Sequence, residues 1–156
     1  MSEPRWLDDA EDRAWRGYRR MFLLLNAQVN RELSQQSGLS EPDYDVLSTL
    51  SDAADHSYRL KKLAERMLWS QSRLSHHVTR MQQRGLVTRE ECVSDARGAT
   101  IVLTPAGRRA IEEAAPLHVT SVRRHFFDHL TREQIQILGD ATNAVIAGLT
   151  EPKRTS

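Results

Sequence analysis

The sequence predicts a mainly α fold with a small β-hairpin, in the order α-α-α-α-β-β-α-α. Three observations predict it. Apolar residues recur at spacings of 3 and 4 along most of the chain. Residues 87–104 instead place β-branched side chains at both ends of a polar centre. Two short helical patterns between 60 and 85 are interrupted only at Trp69-Ser70, which leaves room for a tight turn, the helix-turn-helix arrangement. The length of 156 residues suits one domain, or one domain with an oligomerisation arm. With 39% apolar and 28% charged residues the chain has a core and a highly charged surface, which argues against disorder.

Each element follows from its local chemistry. Residues 8–36 read as one helix with a narrow stripe at Trp15, Tyr18, Phe22, Leu25 and Val29, close to a coiled-coil seam, and Gly38 as its stop. Ser40 caps the next helix. Asp43 adds negative charge near its positive end, and Leu39 and Tyr44 occupy the staple positions. Leu47 and Leu50 continue that helix's apolar face, and the small polar stretch Ser51 to Ser57 reads as a loop. Leu60, Leu63, Ala64 and Met67 mark a short helix; Leu74, Val78 and Met81 mark the next, which ends at Gly85. After the hairpin, Thr104 caps a helix with Pro105 at its first position. Ile111, Ala115, Val119, Val122 and Phe126 give it a face, and Pro116 predicts a kink. Thr131 and Gln134 form a capping box for the last helix, whose face is Ile135, Leu138, Val145 and Leu149. Residues 151–156 read as a disordered tail. The first and last helices carry stripes larger than any core evident within one chain, and dimerisation through those ends covers them.

Charge is distributed unevenly. Residues 1–58 hold 6 basic and 11 acidic side chains, net −5; residues 59–110 hold 11 and 4, net +7; residues 111–156 hold 5 and 6, net −1. A basic centre between acidic or neutral flanks is the footprint of a polyanion-binding segment, although a chance imbalance on a solvated surface reads the same way. The single cysteine, Cys92, excludes an intrachain disulfide framework and a cysteine zinc finger, so a reducing compartment is expected. The N-terminal MSEPRWLDDAEDR is not of signal-peptide type and the apolar runs are too short to span a bilayer, so a cytoplasmic protein is expected.

The most informative segment is SQSRLSHHVTRMQQRG, residues 70–85. Its buried stripe is Leu74, Val78 and Met81. The other face carries Gln71, Ser72, Arg73, Ser75, His76 and Thr79, side chains of the kinds that read base edges and phosphates. They cluster in the N-terminal half, the part that enters the major groove in this motif, and the free N–H groups near Ser70 favour a phosphate. Gln71, Ser72, Arg73, Ser75 and His76 are therefore the candidate base-reading residues; Ser70, Thr79 and Arg80 are candidate phosphate contacts. At the hairpin tip, Arg97 suits a narrow minor groove, with Asp95 to hold its guanidinium. The competing reading of the tip is a surface turn with an incidental ion pair.

These residues resemble a known family. The run LKKLAERMLWSQSRLSHHVTRMQQRGLVTREECVSDARGATIVLTPAGRRA, residues 60–110, is similar to the winged helix-turn-helix of the MarR family of bacterial transcriptional regulators. The matching elements are LAERM, the S-x-x-S-x-x-V-x-R-M-x-x-R-G-L-V-x-R core from Ser72, the D-x-R wing and the LTPAGR that closes it. The resemblance implies a winged helix-turn-helix DNA-binding domain over 39–104 and a helical dimerisation region from 1–38 and 105–150. It implies homodimers whose end helices interlock, 71–84 as the recognition helix, Arg97 in the minor groove, and repression of its own or neighbouring genes, with release by a small aromatic ligand.

Other constellations carry less. Trp15, Tyr18, Phe22, Tyr44 and Trp69 are candidates for an aromatic ligand pocket, with Arg19 or His118 to meet a ligand carboxylate; such a stripe is more often core or interface. Cys92, in the hairpin, lies away from the first helix where peroxide-sensing relatives carry their reactive thiol, which favours an inert role. His118, His125 and His129 share one side of a helix near Asp128, as a zinc site requires, but no further ligand stands at suitable spacing, so no metal and no cofactor is expected. Ser75 and His76 are adjacent on one helix and point about 100° apart, which rules out a nucleophile–base pair. There is no G-x-S-x-G, phosphate-binding Gly loop or H-E-x-x-H, so no enzyme is expected. A dimeric winged-helix protein-interaction module without specific DNA binding is the alternative class; the net +7 centre argues for DNA.

Overall fold

The computed structural model describes residues 3–91 and 98–150. Its elements run α1 (Asp9–Ser37), α2 (Glu41–Asp52), β1 (Ser57–Arg59), α3 (Leu60–Met67), α4 (Gln71–Gln83), β2 (Val87–Glu91), β3 (Ala99–Leu103), α5 (Pro105–His125), a single 3-10 turn (Phe127–His129) and α6 (Arg132–Thr150). The mainly helical fold with a small sheet is as the sequence predicts, with one addition. The stretch expected to be loop up to Ser57 ends in a strand: β1 pairs antiparallel with β3, Ser57 opposite Val102 and Arg59 opposite Thr100. The hairpin partner β2 lies on the other side, Val87 opposite Leu103, so the sheet order is β1-β3-β2. Three residues are too few to show a period of two, and that is why β1 is silent in the sequence.

Helix boundaries follow the caps. Gly38 takes the left-handed conformation that stops α1. Ser40 and Asp43 form a reciprocal capping box at α2: Asp43 N donates to Ser40 Oγ at 3.2 Å and Ser40 N to Asp43 Oδ2 at 3.0 Å. Ser70 Oγ accepts from Arg73 N at 3.1 Å and caps α4. Thr131 and Gln134 close the same box at α6. Helix α5 runs unbroken through Pro116.

The core lies between α2, the helix-turn-helix, the sheet and the start of α5. Leu47, Leu50, Leu63, Leu74, Val78, Met81, Val87 and Ile101 are wholly buried. Each such aliphatic side chain contributes about 1.5–3 kcal/mol of transfer free energy. The LTPAG stretch latches the sheet onto α5. Thr104 Oγ1 donates to the carbonyls of Gly85 (2.7 Å) and Leu86 (2.9 Å) while accepting from Gly107 N (2.9 Å). Gly107 has no room for a Cβ, which would collide with the Leu86 carbonyl.

A second tie joins α1 to α5. Glu32 accepts from Ser121 Oγ (2.6 Å) and Gln28 Nε2 (2.9 Å) and lies 2.7 Å from His125 Nε2. Those contacts, led by Ser121, then Gln28 and His125, depress the Glu32 carboxyl from 4.5 to about 2. By contrast α6 has no buried residue, and Ile137, Val145, Ile146 and Leu149 stand exposed. Exposed too are Trp15, Tyr18 and Phe22 on α1, whose rings follow one another at 5.8 and 6.3 Å.

Candidate nucleic-acid interface

Helices α3 and α4 meet at a turn where Leu68 is left-handed (φ 55°) and 92% exposed. Leu74, His77, Val78 and Met81 turn inward from α4, leaving Gln71, Ser72, Arg73, His76, Thr79 and Arg80 exposed on the outer side. Seven of the eight candidate residues from Ser70 to Arg80 are thereby solvent-facing.

Their partners differ. Ser75 is the exception: its hydroxyl and carbonyl both accept from Arg89 Nη2, at 3.0 and 3.2 Å, so Ser75 clamps α4 to β2. That use competes with base reading. Ser70 spends an oxygen lone pair on the helix cap, and Thr79 Oγ1 donates to Ser75 O at 3.0 Å. Arg73 folds back so that its guanidinium carbon lies 3.9 Å over the Trp69 ring, a cation–π contact. Trp69 in turn meets the His77 ring edge-on at 5.6 Å.

Beneath this face lies a polar cluster that the sequence did not reveal. His77 Nδ1 accepts from Arg80 Nη2 at 3.1 Å, and its Nε2 lies 3.0 Å from Asp43 Oδ1. The latter approach is off the N–H direction, an electrostatic contact more than a linear hydrogen bond. Arg84 Nη1 donates to Asp43 Oδ2 at 2.7 Å and Nη2 to Gly38 O at 3.1 Å. Burial opposes the Asp43 charge, yet the hydrogen bonds from Arg84 and Ser40 outweigh it and hold its carboxyl below the usual range. Burial also pushes the His77 imidazole below the ordinary histidine range; Asp43 pulls it up, and Arg80 and Arg84 press it down.

The remaining candidates scatter. Of the proposed pocket residues, Tyr44 and His118 come together, rings 4.4 Å apart, and line a crevice of about 250 Å³ between α1, α2 and α5. Trp69 sits against His77, while Trp15, Tyr18, Arg19 and Phe22 lie on the exposed part of α1. The three histidines do not converge: His118 packs on Tyr44, His125 on Glu32, and His129 is in the 3-10 turn. Among the described residues no three His, Cys, Asp or Glu side chains group as metal ligands. Asp95 and Arg97 of the wing tip, Cys92 and the tail 151–156 lie outside the described residues. No helix among the described residues is long and apolar enough to cross a membrane.

Comparison with known proteins fits this geometry. The MarR family's sequence profile matches residues 39–98. AbsC, a MarR family transcriptional regulator from Streptomyces coelicolor, superposes with a TM-score of 0.86 at 41% identity, over 94% of this chain and 98% of AbsC. The chain belongs to the MarR family. Sco3205, a MarR family transcriptional regulator of the same organism solved in complex with DNA, gives a TM-score of 0.88 at 37% identity over 98% of this chain and 96% of its own. The HTH-type transcriptional repressor YetL of Bacillus subtilis is 28% identical over 66% of this chain, which spans 64% of YetL. MarR family members are transcriptional regulators, and α4 occupies the place that the sequence resemblance assigns to the recognition helix.

Proposed function

We propose that the protein is a homodimeric, sequence-specific double-stranded DNA-binding repressor. The observation that carries this reading is the outer face of α4, where Gln71, Ser72, Arg73, His76, Thr79 and Arg80 stand exposed above an inner side of Leu74, Val78 and Met81 interrupted by His77. On this reading 39–104 form the DNA-binding domain, and the helices of 1–38 and 105–150 form the dimerisation region. The unburied α6 and the aromatic ladder of α1 support a partner copy. The DNA complex of the similar Sco3205 supports DNA as the ligand.

Two α4 helices enter successive major grooves of a pseudopalindrome about one helical turn apart. Gln71, Ser72, Arg73 and His76 read bases; Ser70, Thr79 and Arg80 meet phosphates; Arg97 of each wing is assigned to the flanking minor groove, with Asp95 to hold its guanidinium. The crevice at Tyr44 and His118 is the site where a small aromatic ligand would bias the spacing of the two reading helices, a population shift between competent and incompetent dimers.

Fluorescence anisotropy with the duplex upstream of the protein's own gene, beside a scrambled duplex, tests the reading. Preference of about 10³-fold with a steep salt slope is the expected result. Equal and weak binding to that duplex and to a pool of genomic fragments favours a protein-interaction module.

A further inference from the structure

His77 is the polar residue out of place on the inner side of α4: 8% exposed, between Leu74, Val78 and Met81. Burying an imidazole there carries a desolvation cost that a leucine would not. Its contacts say what it does. Arginine is always protonated and only donates, so the nitrogen facing Arg80 Nη2 must accept; Nδ1 is therefore bare and the proton sits on Nε2. Nε2 faces Asp43 Oδ1, a carboxylate fixed in turn by Ser40 N and Arg84. Asp43 thus favours the tautomer that leaves Nδ1 free to accept.

We propose that His77 is a positioning residue of the DNA interface, holding the Arg80 guanidinium at the edge of the exposed α4 face in a tautomer set by Asp43. The proposal rests on reading Arg80 as a phosphate contact. Arg80 gives His77 one N–H and keeps its other donors for an anion. A free arginine on a surface helix must be immobilised when DNA binds; one already tethered loses less freedom. The same ring supports Trp69 edge-on, and Trp69 carries Arg73, so one buried side chain underlies two cations of the interface.

The test uses two substitutions that divide the imidazole. His77→Asn puts an amide oxygen near the Nδ1 position and keeps the acceptor for Arg80. His77→Gln reaches toward Asp43 and loses that acceptor. Binding of the full-length protein to a random duplex of about 30 base pairs reads phosphate contacts without knowledge of the operator. With two copies per dimer, His77→Gln should weaken binding about tenfold, His77→Asn by no more than about twofold. In an Arg80→Ala background His77→Gln should cost no more than His77→Asn does, since both lose the ring against Trp69 and neither has Arg80 left to hold. Equal losses in both variants that add to the Arg80→Ala loss would overturn the proposal and leave His77 as packing alone, while Arg80 stays a phosphate contact. An Arg80→Ala protein that binds as the parent does would remove Arg80 from the interface and the proposal with it. A measurement on the unsubstituted protein stands apart from variant folding. Imidazole ¹⁵N shifts at neutral pH should show His77 bare at Nδ1 and protonated at Nε2; the opposite tautomer would contradict it.

Discussion

At the residue scale, the informative positions are those where one side chain has a single permissible identity. Gly107 faces the Leu86 carbonyl so closely that a methyl group has to displace backbone. Gly107→Ala should destabilise the fold by about 1–3 kcal/mol, the usual cost of overpacking, seen as a lower melting temperature. Arg73 is held on Trp69 at the N-terminal end of α4. Arg73→Ala should cost about 1–3 kcal/mol of DNA affinity and relax the preference at one base position; a loss equal on all sequences would make Arg73 a phosphate contact. Several residue roles could not be read from the chain. The sequence marks Ser75 as a polar outward residue, and only the fold brings in Arg89, 14 positions away, to occupy it. His77 falls on the inner arc of α4 by its spacing from Leu74 and Met81, but a polar side chain among apolar neighbours is passed over when a face is traced by hydrophobicity. Asp43 reads as a capping residue, which it is; its second task, facing His77 and Arg84, depends on tertiary approach.

At the scale of elements, boundaries were legible because caps are local chemistry. Ser40, Ser70, Thr104 and Thr131 begin helices, and Gly38 and Gly85 take the positive φ expected where helices end. The strand β1 was not legible, since its pairing with β3 joins residues more than forty apart. Glu32 of α1 is tied to α5 by Ser121 and His125, with Gln28 of its own helix as a further donor and Arg124 3.9 Å away. Its carboxyl titrates lower in the folded than in the unfolded chain. The folded state then binds fewer protons across that interval, so the contribution is complete above pH 4.5 and falls away as pH drops toward about 2. Glu32→Gln should flatten that part of the acid unfolding profile. An unchanged acid limb would show that the clasp does not couple to folding.

At the scale of the whole molecule, the exposed apolar side chains on α1 and α6 are the main departure from a finished globule. Sedimentation velocity should give a species of twice the chain mass, and the pair Val145→Asp and Ile146→Asp should shift it toward the monomer and weaken DNA binding together. A monomer at micromolar concentration would leave these faces for another partner. The basic centre, evident from residue counts alone, falls on the segment that folds as α3, α4, the β2–β3 hairpin and the start of α5.

On the proposed function, two copies of the α4 face read one DNA symmetrically. Selection of bound duplexes from a random-sequence library tests it without a known operator. The expected result is an enriched pseudopalindrome with half-sites about one helical turn apart, lost when Arg73 and Arg80 are both replaced by alanine. Recovery of no motif, or of a single motif without symmetry, would contradict it.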